Sequence, residues 1–176
     1  MIDDKRKVLV LGLDLSLSSS GWSIATEDEI ILACDKICTN AKKNTEFERI
    51  QIVVNEIKNI IETNSIDIVV AEDQFFSKNP KTGLTLSKLM GATIYVCMEL
   101  GVQFELLTPT NARRILAGDG KLKKEQMANY IRENHIDLGE FSDKGKNKNS
   151  DKYDSLVILL AFLKKYKLDK KYGTNK

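Results

Sequence analysis

From Lys7 to Leu15 nearly every position is apolar, with aliphatic side chains on both alternating faces, the pattern of a strand buried on both sides at the centre of a sheet. Two shorter β-rich runs follow, Gly21 to Thr26 and Ile30 to Ile37, parted by Glu27-Asp28-Glu29. Three strands in an antiparallel meander are the simplest arrangement of these segments. From Glu46 to Glu62 the apolar residues Phe47, Ile50, Val53, Val54, Ile57, Ile60 and Ile61 recur at helical spacing, and Ile66 to Ala71 is a β-branched run. A helix crossing over to a parallel strand is predicted. A second helix is expected over 81–100, a further strand from Val102 to Leu107, and helices after Pro109, over Lys121 to Asn134 and from about Asp151 to Tyr166. The predicted class is α/β, a central mixed five-stranded sheet flanked by helices.

Two of these elements end in carboxylates. Val8, Val10, Gly12 and Asp14 share one face of the first strand; Ile66, Ile68, Val70 and Glu72 share one face of the later one. Burying an unpaired carboxylate costs several kcal/mol, roughly, unless a cation or hydrogen bonds compensate. The C-terminal ends of parallel strands are also where open α/β sheets place their sites. Asp151 and Asp154 stand three apart at the start of the last helix, on one face of its first turn. Taken singly, these two would serve a helix N-terminus, and Asp14 or Glu72 would merely close a strand. Taken together, the four supply the oxygen ligands that hard divalent cations prefer. Two such ions about 3.5–4 Å apart activate water and steady the leaving oxygen in phosphodiester hydrolysis.

Composition removes competing chemistries. At 176 residues, with 42% hydrophobic and 30% charged positions, the chain matches one ordinary soluble domain. That domain is expected over 1–168, with a mobile, lysine-containing loop at about 137–150 and a Lys-rich tail at 169–176. No apolar run approaches the roughly 20 residues of a membrane helix. The start Met1-Ile2-Asp3-Asp4-Lys5 lacks the features of a secretory signal, so a cytoplasmic location is expected. Cys34, Cys38 and Cys97 are odd in number and contain no CxxC pair, which supports neither a disulfide framework nor a zinc site; buried reduced thiols are expected. The single histidine, His135, has no nucleophile-bearing turn nearby. Carboxylates must carry any catalysis.

The segments Leu11-Gly12-Leu13-Asp14-Leu15-Ser16, Ala71-Glu72-Asp73-Gln74-Phe75-Phe76-Ser77-Lys78-Asn79, Thr108-Pro109 through Arg113, and Asp151-Lys152-Tyr153-Asp154-Ser155 together resemble the RuvC-type Holliday junction resolvases. The likeness runs in order over nearly the whole chain. It implies an RNase H-like fold and a crossover junction endodeoxyribonuclease working as a homodimer, through the helix at 81–100. Paired phosphodiester hydrolysis of four-way and other branched DNA would leave 5′-phosphate and 3′-hydroxyl ends. It further implies two Mg²⁺ or Mn²⁺ ions per active site on Asp14, Glu72, Asp151 and Asp154. Phe75, with Phe76 sharing or replacing it, would stack on an unpaired base at the junction centre, an interaction of about 1–3 kcal/mol. Lys78, Arg113 and Lys124 fall at or near the family's basic DNA-contacting positions. In the 81–100 helix, the stripe Leu86, Leu89, Met90, Thr93, Ile94 and Cys97, with Gly91 and Ala92 beside it, is shared between core and dimer.

The likeness has departures. The loop before Asp151 is lysine-rich, and Ser155 stands where the family often has alanine; viral relatives with looser selectivity also cut other branched DNA. The bias of 22 lysines to 5 arginines suggests an AT-rich genome, bacterial or phage. Gly12 to Gly21 also looks like the phosphate loop of actin-like ATPases, but those proteins need two such domains. Gly118-Asp119-Gly120-Lys121 lacks P-loop spacing and reads as a turn. An RNase H-like nuclease acting on RNA and a non-catalytic branched-DNA-binding protein are the alternatives. Net charge is only +2, yet residues 1–141 carry 17 basic against 21 acidic groups and residues 142–176 carry 10 against 4. Salt-sensitive DNA binding is therefore expected around Lys78, Arg113, Lys124 and the Lys144 to Lys148 loop.

Overall fold

In the computed structural model, which describes residues 6–73, 80–136 and 149–172, the first apolar run forms β1 (Leu9–Asp14). It continues through β2 (Ser19–Thr26) and β3 (Ile31–Cys38) as an antiparallel meander. β4 (Ile68–Glu72) and β5 (Gln103–Leu107) add in parallel on the other side of β1, in the order β3-β2-β1-β4-β5. β1 is thus the middle strand, as its unbroken apolar pattern requires.

Helix α1 (Glu46–Asn64) begins in a Thr45/Glu48 capping box and ends at Ser65 in the left-handed region, φ 52°. Two orphan donors are satisfied at its start, which is why the helix begins there. Its buried Val53, Ile57, Ile60 and Ile61 pack with Leu11, Leu13 and Leu15 of one sheet face, each contributing about 1.5–3 kcal/mol. Helix α2 (Pro80–Glu99) lies in the same layer, tied to α1 by Lys88–Glu46 at 2.7 Å and Lys58–Glu99 at 3.3 Å.

The opposite face carries α3 (Pro109–Ala117), α4 (Lys124–Asn134) and α5 (Ser150–Tyr172). In the last helix every residue from Tyr153 to Leu163 is buried. Such a helix is apolar all round because it is covered all round: α5 lies between β1 and β2 below and α3 and α4 outside. Among the described residues no helix is long and apolar enough to cross a membrane.

Several sequence expectations need correction. Ile66 precedes β4 and packs with the α1 layer, whereas Ile68 and Val70 pack with α5. Only Cys97 is a buried thiol, pushed by burial up to about 11; Cys34 is half-buried and Cys38 exposed. The expected α2 stripe divides. Leu89, Thr93 and Cys97 belong to the core, while Leu86, Met90 and Ile94 line a cavity of about 280 Å³ with Leu106. Leu84, Tyr95 and Met98 are the exposed apolar residues of α2. Most of the expected mobile loop, 137–148, and the end of the tail lie outside the described residues.

Candidate active site

Asp14 is the last residue of β1 and Glu72 the last of β4, both on the face that packs against α5. Asp151 and Asp154 come to them because α5 settles unusually close to the sheet. Gly21 in β2 stands directly opposite Asp14, and a Cβ placed on Gly21 would lie 1.9 Å from the Asp151 carbonyl oxygen. Gly12, one layer deeper, likewise admits the helix: its Cβ would lie 2.6 Å from Leu159 Cβ and 2.8 Å from the Ser155 carbonyl oxygen. Glycine at both positions permits this approach of two backbones. Ser19, two residues before Gly21, donates its hydroxyl to Asp151 Oδ2 at 2.5 Å and so orients that carboxylate. Ser155, the departure from alanine, donates to the Lys152 carbonyl at 2.8 Å, which satisfies the buried hydroxyl within the helix.

Electrostatics records the crowding. Burial, then the charges of Glu72 and Asp154, push the Asp14 carboxyl well above the usual carboxylate range; Lys124 opposes this and Asp151 adds to it. Burial also raises Asp154, with Lys124 pulling the other way, Asp151 adding to the rise and Arg113 opposing it. Lys124 Nζ donates to Asp154 Oδ2 at 2.5 Å. Burial disfavours the Lys124 charge, but Asp154, Asp14 and Glu72 outweigh that and hold its ammonium above the ordinary lysine value. Asp154 is raised chiefly by burial, whereas Lys124 is raised by the negative charges around it.

Lys124, expected from sequence as a DNA contact, is therefore a member of the acidic cluster, at the start of α4. Arg113, from α3, acts on Asp154 through its charge. Phe75, Phe76 and Lys78 lie outside the described residues. Sequence reasoning missed Ser19, Gly21 and the inward reach of Lys124. A lone glycine inside a β-rich run was the available signal for the second, since it marks a close backbone approach.

Four carboxylates without histidine or cysteine match the donor chemistry of a hard divalent cation, and Asp14 and Asp154 are buried carboxyls crowded by like charges. Among the described residues, however, no three such side chains already form a metal-holding group. Lys124 is the cation beside Asp154.

The family model described as "Crossover junction endodeoxyribonuclease RuvC" matches residues 10–156, a span that includes all four carboxylates. The RuvC protein of Roseiflexus sp. (strain RS-1) is 27% identical over 125 residues, covering 69% of this chain and 74% of that protein. That of Anaplasma phagocytophilum is 26% identical over 129 residues, covering 71% and 78%. The Thermus thermophilus RuvC structure superposes with a TM-score of 0.74 at 21% identity over 92% of this chain and 96% of the other. The same protein solved with a Holliday junction substrate gives 0.76 at 19% identity, with the same coverage. These two likenesses establish the fold, the RNase H-like arrangement.

Proposed function

The chain belongs to the crossover junction endodeoxyribonuclease RuvC family, and from that premise we propose how its residues resolve a four-way DNA junction. Asp14, Glu72, Asp151 and Asp154 would hold two divalent ions, Mg²⁺ or Mn²⁺. The observation that carries this reading is the seating of the first turn of α5 on Gly21, which brings Asp151 and Asp154 from the far end of the chain to the strand end occupied by Asp14.

When bound, the ions supply Lewis acidity at the phosphate, a lowered pKa for the attacking water and charge neutralisation at the leaving oxygen. Water oxygen bonds to phosphorus as the P–O3′ bond breaks; the 3′-oxygen takes up a proton and the 5′ side keeps the phosphate. Ser19 fixes the Asp151 carboxylate, so that its rotation is settled before substrate arrives. Lys124, paired with Asp154 and half-exposed at the rim, would present its ammonium to the DNA backbone together with Arg113.

The enzyme acts as a homodimer through α2. Tyr95 and Met98, one turn apart on α2, are 68% and 73% exposed and give this helix an apolar surface for a second copy, and two-fold symmetry suits paired cuts on a two-fold junction. Tyr95→Glu is expected to shift sedimentation from dimer to monomer and to replace paired incision by single nicks. A Tyr95→Glu protein that sediments as a dimer would remove this face from the interface.

Purified protein is expected to cut labelled four-way DNA in Mg²⁺ or Mn²⁺ and not in EDTA. It is expected to cut three-way and forked DNA less well, and linear duplex and RNA not at all. Failure to cut any branched DNA with either metal would overturn the assignment. Preferential cutting of RNA would favour the alternative RNase H-like activity.

A further inference from the structure

Arg49 lies in the first turn of α1, in the layer opposite α5, and is half-buried. Its Nε donates to Thr39 Oγ1 at 2.7 Å and its Nη2 to Ser18 Oγ at 3.1 Å. Both acceptors are neutral. Among the described residues no carboxylate pairs with this guanidinium. This arginine is oriented by two hydroxyls, with Nη1 and the rest of Nη2 uncommitted. Three of the five N–H donors of the planar fork remain, a geometry suited to bidentate phosphate.

Its support is organised for that orientation. The Thr39 hydroxyl donates in turn to the Leu17 carbonyl, which leaves its lone pairs to Arg49. The Thr39 amide donates to the Ser18 carbonyl at 3.1 Å. Thr39 thus joins β3, the β1–β2 turn and α1 at one point.

A cleft of about 500 Å³ crosses the strand ends and is lined by Asp14, Asp151 and Lys124 from one layer and by Ser18, Arg49 and Lys81 from the other. Glu46 also lines it, but its two oxygens are taken by Lys88 at 2.7 Å and Thr85 at 2.9 Å. Arg49 therefore places a guanidinium on this side of the cleft, continuous with the proposed catalytic carboxylates. From this geometry we infer that Arg49 binds a backbone phosphate of the cleaved strand, flanking the scissile one, with Thr39 as its positioning residue. The inference rests on the nuclease reading above and adds a phosphate subsite on the α1 side of the cleft.

The test is a methylphosphonate scan. Each phosphate within several nucleotides of the cut is made neutral in turn, and single-turnover cleavage and junction binding by the full chain are measured for wild type, Arg49→Ala, Arg49→Lys, Thr39→Val and Thr39→Ser. Arg49→Ala is expected to bind junctions about 10- to 100-fold more weakly. Its salt dependence should be shallower by roughly one phosphate contact. At one methylphosphonate position, distinct from the scissile phosphate, wild type is slowed but Arg49→Ala is not slowed further. Arg49→Lys restores the salt slope but only part of the affinity. Thr39→Val shifts the same position's interference, and Thr39→Ser restores it. If Arg49→Ala shows the same interference pattern and salt slope as wild type, Arg49 only braces the β1–β2 turn and the subsite is overturned, with the nuclease assignment intact. Wild type that cuts no branched DNA overturns both.

Discussion

Replacing Asp14 by Asn is expected to abolish junction cleavage and, at the same time, to make the metal-free protein harder to unfold. Loss of an outer partner of a metal ligand alone costs about 10- to 100-fold, so loss of Asp14, a proposed ligand itself, is expected to cost more than that. The stability gain follows from the raised carboxyl of Asp14, caused first by burial and then by Glu72 and Asp154. In the unfolded chain the group ionises near its ordinary value of 3.8, and in the folded chain only at higher pH. Between those two values the unfolded state binds fewer protons, so stability present below the unfolded value is lost as pH rises through the folded one. Above its raised folded value the wild type carries that cost, and Asn carries none of the charge. A relief of about 1 kcal/mol corresponds to roughly 2–4 °C in Tm for a chain of this size.

Melting curves in EDTA at pH 7 and at pH 4 check this directly. The variant should melt higher at pH 7, and the gap should shrink toward pH 4 as the wild-type carboxyl regains its proton. Added Mg²⁺ or Mn²⁺ should raise the wild-type Tm by mass action and the variant's by less. A variant that melts lower than wild type in EDTA would mean that the Asp14 carboxylate is held by its neighbours rather than against them.

The first half of this argument was legible in the sequence because a strand buried on both faces advertises itself. Leu9 through Asp14 has no polar face, so its terminal carboxylate stands out, and Glu72 repeats the signal at the end of Ile68 through Ala71. The five strands and their mixed pairing followed from the same runs. The pairing of Lys124 with Asp154 was not legible, since a lysine beginning a helix has the same pattern whether it faces solvent or an acidic cluster 30 residues away. Arg49 was hidden for a similar reason: its partners Ser18 and Thr39 are 31 and 10 residues distant, and hydroxyls carry no periodicity. The division of the α2 stripe between core and cavity depended on where β5 lay, because Leu106 closes that cavity.

Gly21→Ala carries the other large expected effect, because it tests how the chain's two ends are brought to one site. The added Cβ would lie 1.9 Å from the Asp151 carbonyl oxygen, 2.4 Å from its carbonyl carbon and 3.2 Å from its Cα. All three are backbone atoms, so no rotamer change relieves the clash. The helix cannot retreat as a body either, since Tyr153 and Leu156 to Leu163 are packed on every side. The strain must fall on the first turn of α5, which carries Asp151 and Asp154 and is tied to β2 by Ser19. Overpacking of this kind costs about 1–3 kcal/mol, or roughly 2–12 °C in Tm. The effect on chemistry is larger, because a displacement of about 1 Å at a catalytic group costs on the order of 100-fold. Junction binding, which draws on cations spread over several elements, should fall much less. Gly21→Ala should therefore separate binding from cleavage, with hydrogen exchange accelerated at residues 150–154 and unchanged along the buried middle of α5. Cleavage within about threefold of wild type would show that the turn can shift without displacing its carboxylates, and the close seating of α5 would then not be what assembles the site.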